Sequence, residues 1–250
     1  MHRLHHPGLD ESALEHGGVL DVGGEEGRHA AKVKRLGHGE MVEVLNGAGL
    51  VVRGRAAEVD PRGGRVSVEV DGWSRVPRVR PRVDVAAPPP KGERLERMLD
   101  QLGQLGAASW VPLRCERSVG EPARLRLARL EGVTGGTMKQ CGRAYAMEIG
   151  APIEFGSLVH GLCVVADRGD GARRGVLARA DGAFPAGPGR PAGESVVVIV
   201  GPEGGLSDRE LGLAEEAGVG RLRLGPHVLR TETAAAAAAA VLLADAGPCP

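Results

Sequence analysis

Residues 196–210 read Val-Val-Val-Ile-Val-Gly-Pro-Glu-Gly-Gly-Leu-Ser-Asp-Arg-Glu, and this stretch decides the fold class. The apolar residues predict a buried strand, three glycines predict a tight loop, and Ser207 with Glu210 has the spacing of a helix capping box. Residues 222–240 follow the same order, with a short strand, a loop and a run of alanines that favours a helix. Two such units in succession predict an α/β fold in which both loops lie at one edge of a sheet, where these proteins bind ligands.

The preceding part of this domain, from residue 82, also alternates between strands and helices. The pattern predicts a strand at 83–87, a helix at 91–105, a strand at 110–113, a largely helical segment at 125–145, a strand at 158–166 and a loop-rich segment at 167–193. The helix at 91–105 has one apolar stripe, which consists of Leu95, Met98, Leu99, Leu102 and Leu105.

Residues 1–74 have a different pattern, in which short valine-rich segments are separated by turns. Residues 41–45 predict a strand, Asn46-Gly47 a hairpin turn and residues 50–59 the returning strand. Residues 65–70 then alternate with period two, so this part is expected to be a small antiparallel unit that closes into a barrel. Residues 75–81, with two prolines, are expected to be a linker.

Charge is balanced overall but unevenly distributed along the chain. There are 32 basic and 32 acidic side chains, yet residues 75–143 have 14 basic and 7 acidic ones, a net charge of +7. The flanking parts, 1–74 and 144–250, have net charges of −3 (9 basic, 12 acidic) and −4 (9 basic, 13 acidic). A basic middle is compatible with a surface for phosphates, although abundant surface arginine explains the same numbers and is favoured on charge alone.

Cysteine and hydropathy patterns exclude several classes of protein. The four cysteines have no metal-binding spacing, so we expect no metal and a reduced, cytoplasmic location. The polar N-terminus, with His2, His5 and His6, does not resemble a signal peptide, and the histidines are expected to be exposed. The longest apolar run, 234–244, is too short to span a membrane, so no membrane association is expected.

Two loops contain the residues that could perform chemistry. The glycines at 201, 204 and 205 allow a ligand to approach the main chain, although a simple strand-to-helix turn would use them equally well. In the second loop, Thr231 or Thr233 could be a helix cap, and Glu232 could favour the positive end of the helix dipole. These purely structural interpretations are less favoured if both loops lie at the same edge of the sheet, where they could form one ligand site.

The two loops taken together closely resemble the signature of the ribosomal RNA small subunit methyltransferase E family, in the SPOUT class of knotted methyltransferases. The matching segments are 201–210 and 224–234, with further similarity at 28–35, 46–49, 90–96, 111–118 and 140–143. The chain departs from the family pattern where Gln104 and Lys139 replace acidic residues, Cys141 replaces a serine, and Leu4 and His5 replace an aromatic pair.

The resemblance implies a fold and a reaction. Residues 1–74 would form a PUA-like β-barrel that holds RNA, 75–81 a linker, and 82–250 an α/β domain with a trefoil knot. The protein would be a homodimer that transfers a methyl group from S-adenosyl-L-methionine to N3 of a uridine in 16S ribosomal RNA, on free RNA or on the small ribosomal subunit. The implied cofactor residues are Gly201, Glu203, Gly204, Gly205, Leu224, Gly225, Val228, Leu229 and Thr233.

The chemistry and the resemblance together suggest roles for charged side chains. Uracil N3 must lose a proton before it can attack a methyl group, so the site needs a base or a cation that stabilises the anion. The catalytic candidates are Arg230, which would stabilise the uracil anion or a flanking phosphate, and Glu232, which would help to move the proton or orient Arg230. The expected RNA contacts are Arg3, His29, Lys34, Arg35, Lys91, Arg94, Arg117 and Arg143.

Three other functions stay open on the sequence. The protein could be a SPOUT methyltransferase for another RNA or base atom, or an RNA-binding relative without catalytic activity. It could also be an α/β enzyme that binds phosphate or a nucleotide at the 201–205 loop, although no phosphate-binding lysine follows that loop.

Overall fold

A computed structural model describes residues 1–119, 125–167, 174–183, 195–244 and 246. The described residues form two compact units, the first within 1–78 and 135–146 and the second within 79–134 and 147–246. The sequence pattern had assigned all of 82–250 to one domain, whereas residues 135–146 belong to the first unit. The sequence has no boundary signal at residue 135, because residues 135–141 continue a helix that begins earlier in the chain.

The first unit contains a five-stranded sheet in the order β1-β3-β4-β5-β2. All neighbouring strands are antiparallel except β1 and β3, which are parallel. Within the described residues β1 and β2 are the ends of this order, so closure into a barrel stays a prediction. The elements are β1 (His2–His5), a 3₁₀ turn (Glu11–Ala13), β2 (Val19–Val22), α1 (Gly24–Arg28), a π-helical turn (His29–Val33), β3 (Met41–Leu45), β4 (Leu50–Asp60) and β5 (Arg65–Arg75).

The predicted hairpin of β3 and β4 is confirmed, and its turn has a clear physical cause. The Asn46 carboxamide oxygen accepts hydrogen bonds from the main-chain N–H groups of Ala48 (2.8 Å) and Leu50 (3.0 Å). An asparagine that satisfies the amides after it stabilises a tight turn. The inward valines that follow, such as Val52, are fully buried in the core of this unit.

The second unit contains a parallel sheet in the order β12-β10-β11-β6-β7-β8, with β9 paired to the end of β7. Its elements, together with a helix that continues into the first unit (α3), are β6 (Arg82–Ala87), α2 (Glu93–Leu105), β7 (Ser109–Arg114), α3 (Leu127–Cys141), β8 (Glu148–Ile149), β9 (Ile153–Glu154), α4 (Phe155–Asp167), β10 (Arg174–Ala183), β11 (Ser195–Ile199), α5 (Asp208–Glu216), β12 (Gly220–Leu222) and α6 (Thr231–Leu243).

Helices cover both faces of this sheet, as the apolar run of β11 requires. Val196 and Val198 belong to one buried cluster, which includes α2 and α6, whereas Val197 and Ile199 belong to another, which includes α4 and α5. Successive side chains of a strand point to opposite faces, so a strand that is apolar at every position must be covered twice. The predicted α/β class is therefore confirmed.

Two predictions for this unit are wrong. Residues 158–166 were expected to form a strand but lie in α4, where Phe155, Val159 and Leu162 are buried at helical spacing. A short apolar run does not separate a buried strand from a buried helix by periodicity alone. Residues 167–193 were expected to be loop-rich, but they include β10, which lies inside the sheet between β11 and β12. The rest of that segment, 168–173 and 184–193, lies outside the described residues.

The packing of α2 leads to a stability prediction. Leu102 is fully buried against the sheet, whereas Leu105, on the predicted stripe of the same helix, is 37% exposed. Leu102→Ala should lower the free energy of unfolding by about 2–5 kcal/mol, because it removes buried methyl groups and leaves a cavity. Urea denaturation measures this loss, and Leu105→Ala is the matched control. Equal losses in the two variants would contradict the assigned core.

Candidate functional site

A cavity of about 520 Å³ lies in the second unit, near the carboxyl ends of β11 and β12. Two loops form most of its wall, the one after β11 and the one after β12, and Leu177 and Ala178 of β10 close one side. Its described lining is mostly apolar side chains and glycine main chain. The lining residues are Leu177, Ala178, Val200, Gly201, Pro202, Gly205, Leu206, Leu211, Leu224, Gly225, His227, Val228, Leu229, Thr231 and Ala234.

The loop after β11, residues 201–206, is called the glycine loop below. Gly205 has φ of +71°, a conformation that other residues rarely adopt, and its N–H donates to the Pro202 carbonyl (2.9 Å). The Thr231 hydroxyl donates to the Gly201 carbonyl (3.3 Å). The loop therefore turns sharply and is connected by a hydrogen bond to the first turn of α6, whose Thr231 and Ala234 also line the cavity.

The helix after the glycine loop begins as the sequence predicted. Ser207 Oγ accepts from the Glu210 N–H (3.2 Å), and Glu210 Oε2 accepts from the Ser207 N–H (2.8 Å), which completes a capping box. The N-terminus of α6 is different. Arg230 occupies the cap position without a side-chain hydrogen bond to the helix, so neither threonine is the cap residue.

A cluster of one arginine and two carboxylates flanks the cavity. Arg94 Nη1, on the first turn of α2, lies 3.7 Å from Glu232 Oε1 and 3.9 Å from Glu203 Oε1. Glu232 is 8% exposed, and its second oxygen, Oε2, is buried without a hydrogen-bond partner. Thr231 and Ala234, on either side of Glu232 in α6, line the cavity. A buried acceptor without a donor is costly in a folded protein, so this carboxylate is a candidate for function.

Comparison with known proteins gives the family of this chain. The RNA methyltransferase domain model matches residues 78–243. The ribosomal RNA small subunit methyltransferase E of Mycobacterium bovis is 34% identical over 234 residues, which cover 89% of this chain and 85% of the relative. This chain belongs to the ribosomal RNA small subunit methyltransferase E family. The resemblance inferred from the two loop motifs is thereby confirmed.

Solved structures agree with this membership. A candidate methyltransferase from Legionella pneumophila, in complex with S-adenosylmethionine, has a TM-score of 0.79 and 29% identity over 97% of this chain and 96% of its own. A ribosomal RNA small subunit methyltransferase E from Neisseria gonorrhoeae, bound to S-adenosylmethionine, has a TM-score of 0.82 over 98% of this chain and 97% of its own. At 24% identity, this second likeness supports the fold alone.

The structure brings most of the expected cofactor residues together. Six of the nine line the cavity: Gly201, Gly205, Leu224, Gly225, Val228 and Leu229. The other three, Glu203, Gly204 and Thr233, are exposed and are not among its lining residues. Sequence reasoning missed Thr231, which is 3% exposed and lines the cavity. The position of Thr231 directly after Arg230, in the second family motif, indicated a place near the cofactor site. From the sequence, this threonine is interpreted only as a possible helix cap.

The two expected catalytic residues lie in different environments. Glu232 is buried beside Arg94, whereas Arg230 is exposed, and within the described part of the chain Arg230 has no ion pair. Glu232 therefore pairs with an arginine that the sequence assigned to RNA, rather than with Arg230. Nothing in the sequence places Arg94 near Glu232, because the two are far apart along the chain.

Two of the expected RNA contacts in the first unit are occupied by protein groups. Arg3 Nε pairs with Glu43 (3.1 Å), and Arg3 Nη1 donates to the carbonyls of Lys139 and Gln140 (both 3.2 Å). Lys34 Nζ donates to the Arg3 carbonyl (3.0 Å), and burial lowers the pKa of this amine. Both side chains therefore have structural roles in this unit.

The remaining expected RNA contacts vary in exposure. His29, Arg35 and Lys91 are exposed, and Arg143 is half-buried. Arg117 is exposed, but its guanidinium donates to main-chain carbonyls of the glycine loop. Exposure makes His29, Arg35 and Lys91 the members of this set most accessible to a phosphate.

The departures from the family pattern have local partners. Lys139 Nζ forms an ion pair with Glu26 (2.6 and 2.9 Å to its two oxygens), and the main-chain N–H of His5 also donates to Glu26 Oε1 (3.2 Å). Burial lowers the pKa of His5, although the Glu26 charge opposes this shift. Two of the departures, His5 and Lys139, therefore meet at one carboxylate in the first unit.

The other departures are accommodated within single elements. The Gln104 amide donates to Asp100, one turn earlier in α2 (2.9 Å). Cys141 is exposed at the end of α3, and Leu4 is fully buried in the first unit. None of these positions is among the lining residues of the cavity.

The described residues were expected to bind no metal ion and to contain no membrane span, and both expectations remain predictions. The described residues contain no group of His, Cys, Asp or Glu side chains suited to a metal ion. No helix in the described ranges is long and apolar enough to cross a membrane. Burial, together with the nearby Glu210 charge, raises the pKa of the Cys115 thiol to about 12, so this thiol stays protonated at neutral pH.

Proposed function

We propose that this protein transfers a methyl group from S-adenosyl-L-methionine to N3 of a uridine in 16S ribosomal RNA. The observation that carries the proposal is the cavity lined by both motifs that define the family. The Legionella protein was solved with the same methyl donor, which supports its assignment here. We further propose that the second unit contains the trefoil knot of its class and that the first is PUA-like.

The residues of the cavity fit this methyl donor. Its volume of about 520 Å³ lies within the range of small-molecule sites, roughly 300–1,000 Å³. A Cβ built on Gly225 meets no atom within 4 Å, so this glycine leaves open space that a ligand could enter. The main chain of Gly201, Gly205 and Gly225 would hold the adenosine part, and Leu224, Val228 and Leu229 would supply apolar contacts. When bound, S-adenosylmethionine supplies an electrophilic methyl group.

The charges beside the cavity favour Glu232 as the proton acceptor. One guanidinium faces two carboxylates, so Arg94, Glu203 and Glu232 have a summed formal charge of −1. A carboxylate can act as the base that accepts the N3 proton, whereas a cluster with net negative charge cannot act as the cation that stabilises a uracil anion. A nucleobase N–H placed against Glu232 Oε2 would also supply the missing donor. Arg94 would hold the other oxygen and orient the carboxylate.

Arg230 is better suited to RNA than to the uracil ring. It is exposed at the N-terminus of α6, where its charge and the helix dipole both attract an anion. We propose that it contacts a phosphate that flanks the target nucleotide. His29, Arg35 and Lys91 would contribute further phosphate contacts, and the target base would have to be unpaired, because N3 is buried in a base pair.

We also propose a cytoplasmic homodimer with the site near its interface. Val228 lines the cavity but is 91% exposed, which is unusual for a valine beside a ligand site. Burial of this side chain by a second copy would explain its exposure here. Sedimentation at micromolar concentration should give twice the chain mass, and a monomer would contradict the proposal.

Methyl transfer to defined RNA tests the proposed function directly. Purified protein and labelled S-adenosylmethionine are combined with 16S RNA, or with small ribosomal subunits, that lack the modification. Nucleoside mass spectrometry of the digested RNA should show N3-methyluridine at one site. Product on the free RNA, on the subunit or on both identifies the natural substrate.

The same experiment separates the alternatives. A methyl group on another base atom or another RNA would favour a SPOUT enzyme of different specificity. Binding of RNA without binding of S-adenosylmethionine would favour a relative without catalytic activity. The phosphate-binding alternative is already less favoured, since the described lining of the cavity includes no lysine or arginine.

A further inference from the structure

The turn after β7, residues 115–118, is closed by its own hydrogen bonds. The Cys115 N–H donates to Ser118 Oγ (2.9 Å), and the Ser118 N–H donates to the Cys115 carbonyl (3.0 Å). Cys115 is also buried in the core of the second unit. A turn fixed in this way, and anchored to the core, can support a neighbouring loop.

Glu210 joins this turn to the end of the glycine loop. Its carboxylate is buried, and while Oε2 accepts from Ser207 in the capping box, Oε1 accepts from the Glu116 N–H (2.9 Å), 94 residues away. A capping-box glutamate ordinarily accepts a hydrogen bond only from the main-chain N–H at the start of its own helix. Here the second oxygen fixes the distance between the 115–118 turn and the start of α5.

Arg117 joins the same turn to the middle of the loop. Its Nη1 donates to the carbonyls of Gly204 (3.3 Å) and Leu206 (3.4 Å). A Cβ on Gly204 would lie 3.2 Å from Arg117 Cβ, closer than most real contacts of this kind. The turn therefore packs directly on the loop whose Pro202, Gly205 and Leu206 line the cavity.

We propose that the 115–118 turn is a brace that sets the shape of the glycine loop before the ligand binds. In this proposal Arg117 is a positioning residue for the cavity and not a contact for RNA. A loop that is already ordered loses less conformational entropy on binding, so the brace raises ligand affinity without touching the ligand. The identity of that ligand as S-adenosylmethionine rests on the proposed function.

Hydrogen exchange and calorimetry on Arg117→Ala test the brace. The amide of Gly205, which bonds to Pro202, should exchange faster in the ligand-free variant. The Kd for S-adenosylmethionine should rise about tenfold, because two loop carbonyls lose their donor and the loop loosens. Arg114→Ala is the matched control, since Arg114 is an exposed arginine at the end of β7 that pairs with Glu154 instead of the glycine loop.

RNA binding separates the brace from a phosphate contact. The brace predicts that Arg117→Ala leaves the Kd for RNA and its salt dependence unchanged. A phosphate contact would instead weaken RNA binding and lower the slope against salt by about one, with normal exchange at Gly205. Normal exchange at Gly205 in Arg117→Ala overturns the proposal whatever the RNA result.

A second variant tests the buried contact between Glu210 and the 115–118 turn. Glu210→Gln keeps the size of the side chain but leaves one of two N–H groups, Glu116 or Ser207, without its acceptor. It should increase exchange in the glycine loop at least as much as Arg117→Ala does, with native circular dichroism. If the unmodified protein binds no S-adenosylmethionine, the proposed function fails, while the exchange comparison still decides for or against the brace.

Discussion

Glu232→Gln should lower kcat for methyl transfer by about 10²–10⁴-fold, the usual contribution of a general base. The glutamine has nearly the shape of glutamate but cannot take a proton from uracil N3. Because Glu232 is not a lining residue of the cavity, the Kd for S-adenosylmethionine should stay within about twofold of the original. Single-turnover rates with saturating RNA and calorimetric titration of the donor measure the two quantities separately.

Glu203→Gln is the matched control for this prediction. Glu203 shares the guanidinium of Arg94 with Glu232, at 3.9 Å, but its side chain is 44% exposed. An exposed ion pair contributes little, so this variant should change kcat by less than about fivefold. Comparable losses in the two variants would show that the charge of the cluster matters and that neither carboxylate is the specific base. An unchanged kcat in Glu232→Gln would remove Glu232 from the mechanism.

Arg230 has a different expected signature. If it contacts a flanking phosphate, Arg230→Ala raises KM for RNA and leaves kcat at saturating RNA nearly unchanged. A large loss of kcat with unchanged KM would instead return Arg230 to the uracil ring. The comparison of kcat and KM therefore distinguishes the two roles that the sequence left open.

The elements that the sequence predicted correctly are those with strong local signals. The capping box at Ser207 and Glu210, the turn at Asn46 and the strand at 196–200 each depend on neighbouring residues, and the structure confirms all three. The helix at 155–167 and the strand at 174–183 were missed for the converse reason. Their identity is decided by the sheet into which they pack, and tertiary packing overrides a weak local preference.

The site shows the same division between local and long-range information. The family motifs located the two loops and six of the nine expected cofactor positions at the cavity. They did not reveal that Arg94 faces Glu232 or that Arg117 faces the glycine loop, because these contacts join elements far apart in sequence. Both arginines resemble solvated charges in the sequence, and only their carboxylate and carbonyl partners indicate other roles.

Gly225→Leu should raise the Kd for S-adenosylmethionine by about 100-fold. Overpacking costs about 1–3 kcal/mol, and a cost near the top of this range corresponds to a change in Kd of about that size. Gly225 lines the cavity, and a Cβ placed there meets nothing within 4 Å, so the new side chain has room without displacing protein atoms. The substitution therefore competes with the ligand rather than with the fold. Calorimetric titration and the melting temperature together measure the effect.

Gly161→Leu is the control for the change of residue type. Gly161 is exposed in α4, and a Cβ there also meets nothing within 4 Å, but it is not a lining residue of the cavity. Its variant should bind the donor normally and melt no lower than the original, since leucine favours a helix more than glycine does. Weak binding in Gly225→Leu together with an unchanged melting temperature would locate the donor at this cavity. Normal binding in Gly225→Leu would mean that the donor binds elsewhere, and the assignment of both family loops to its recognition would then be wrong.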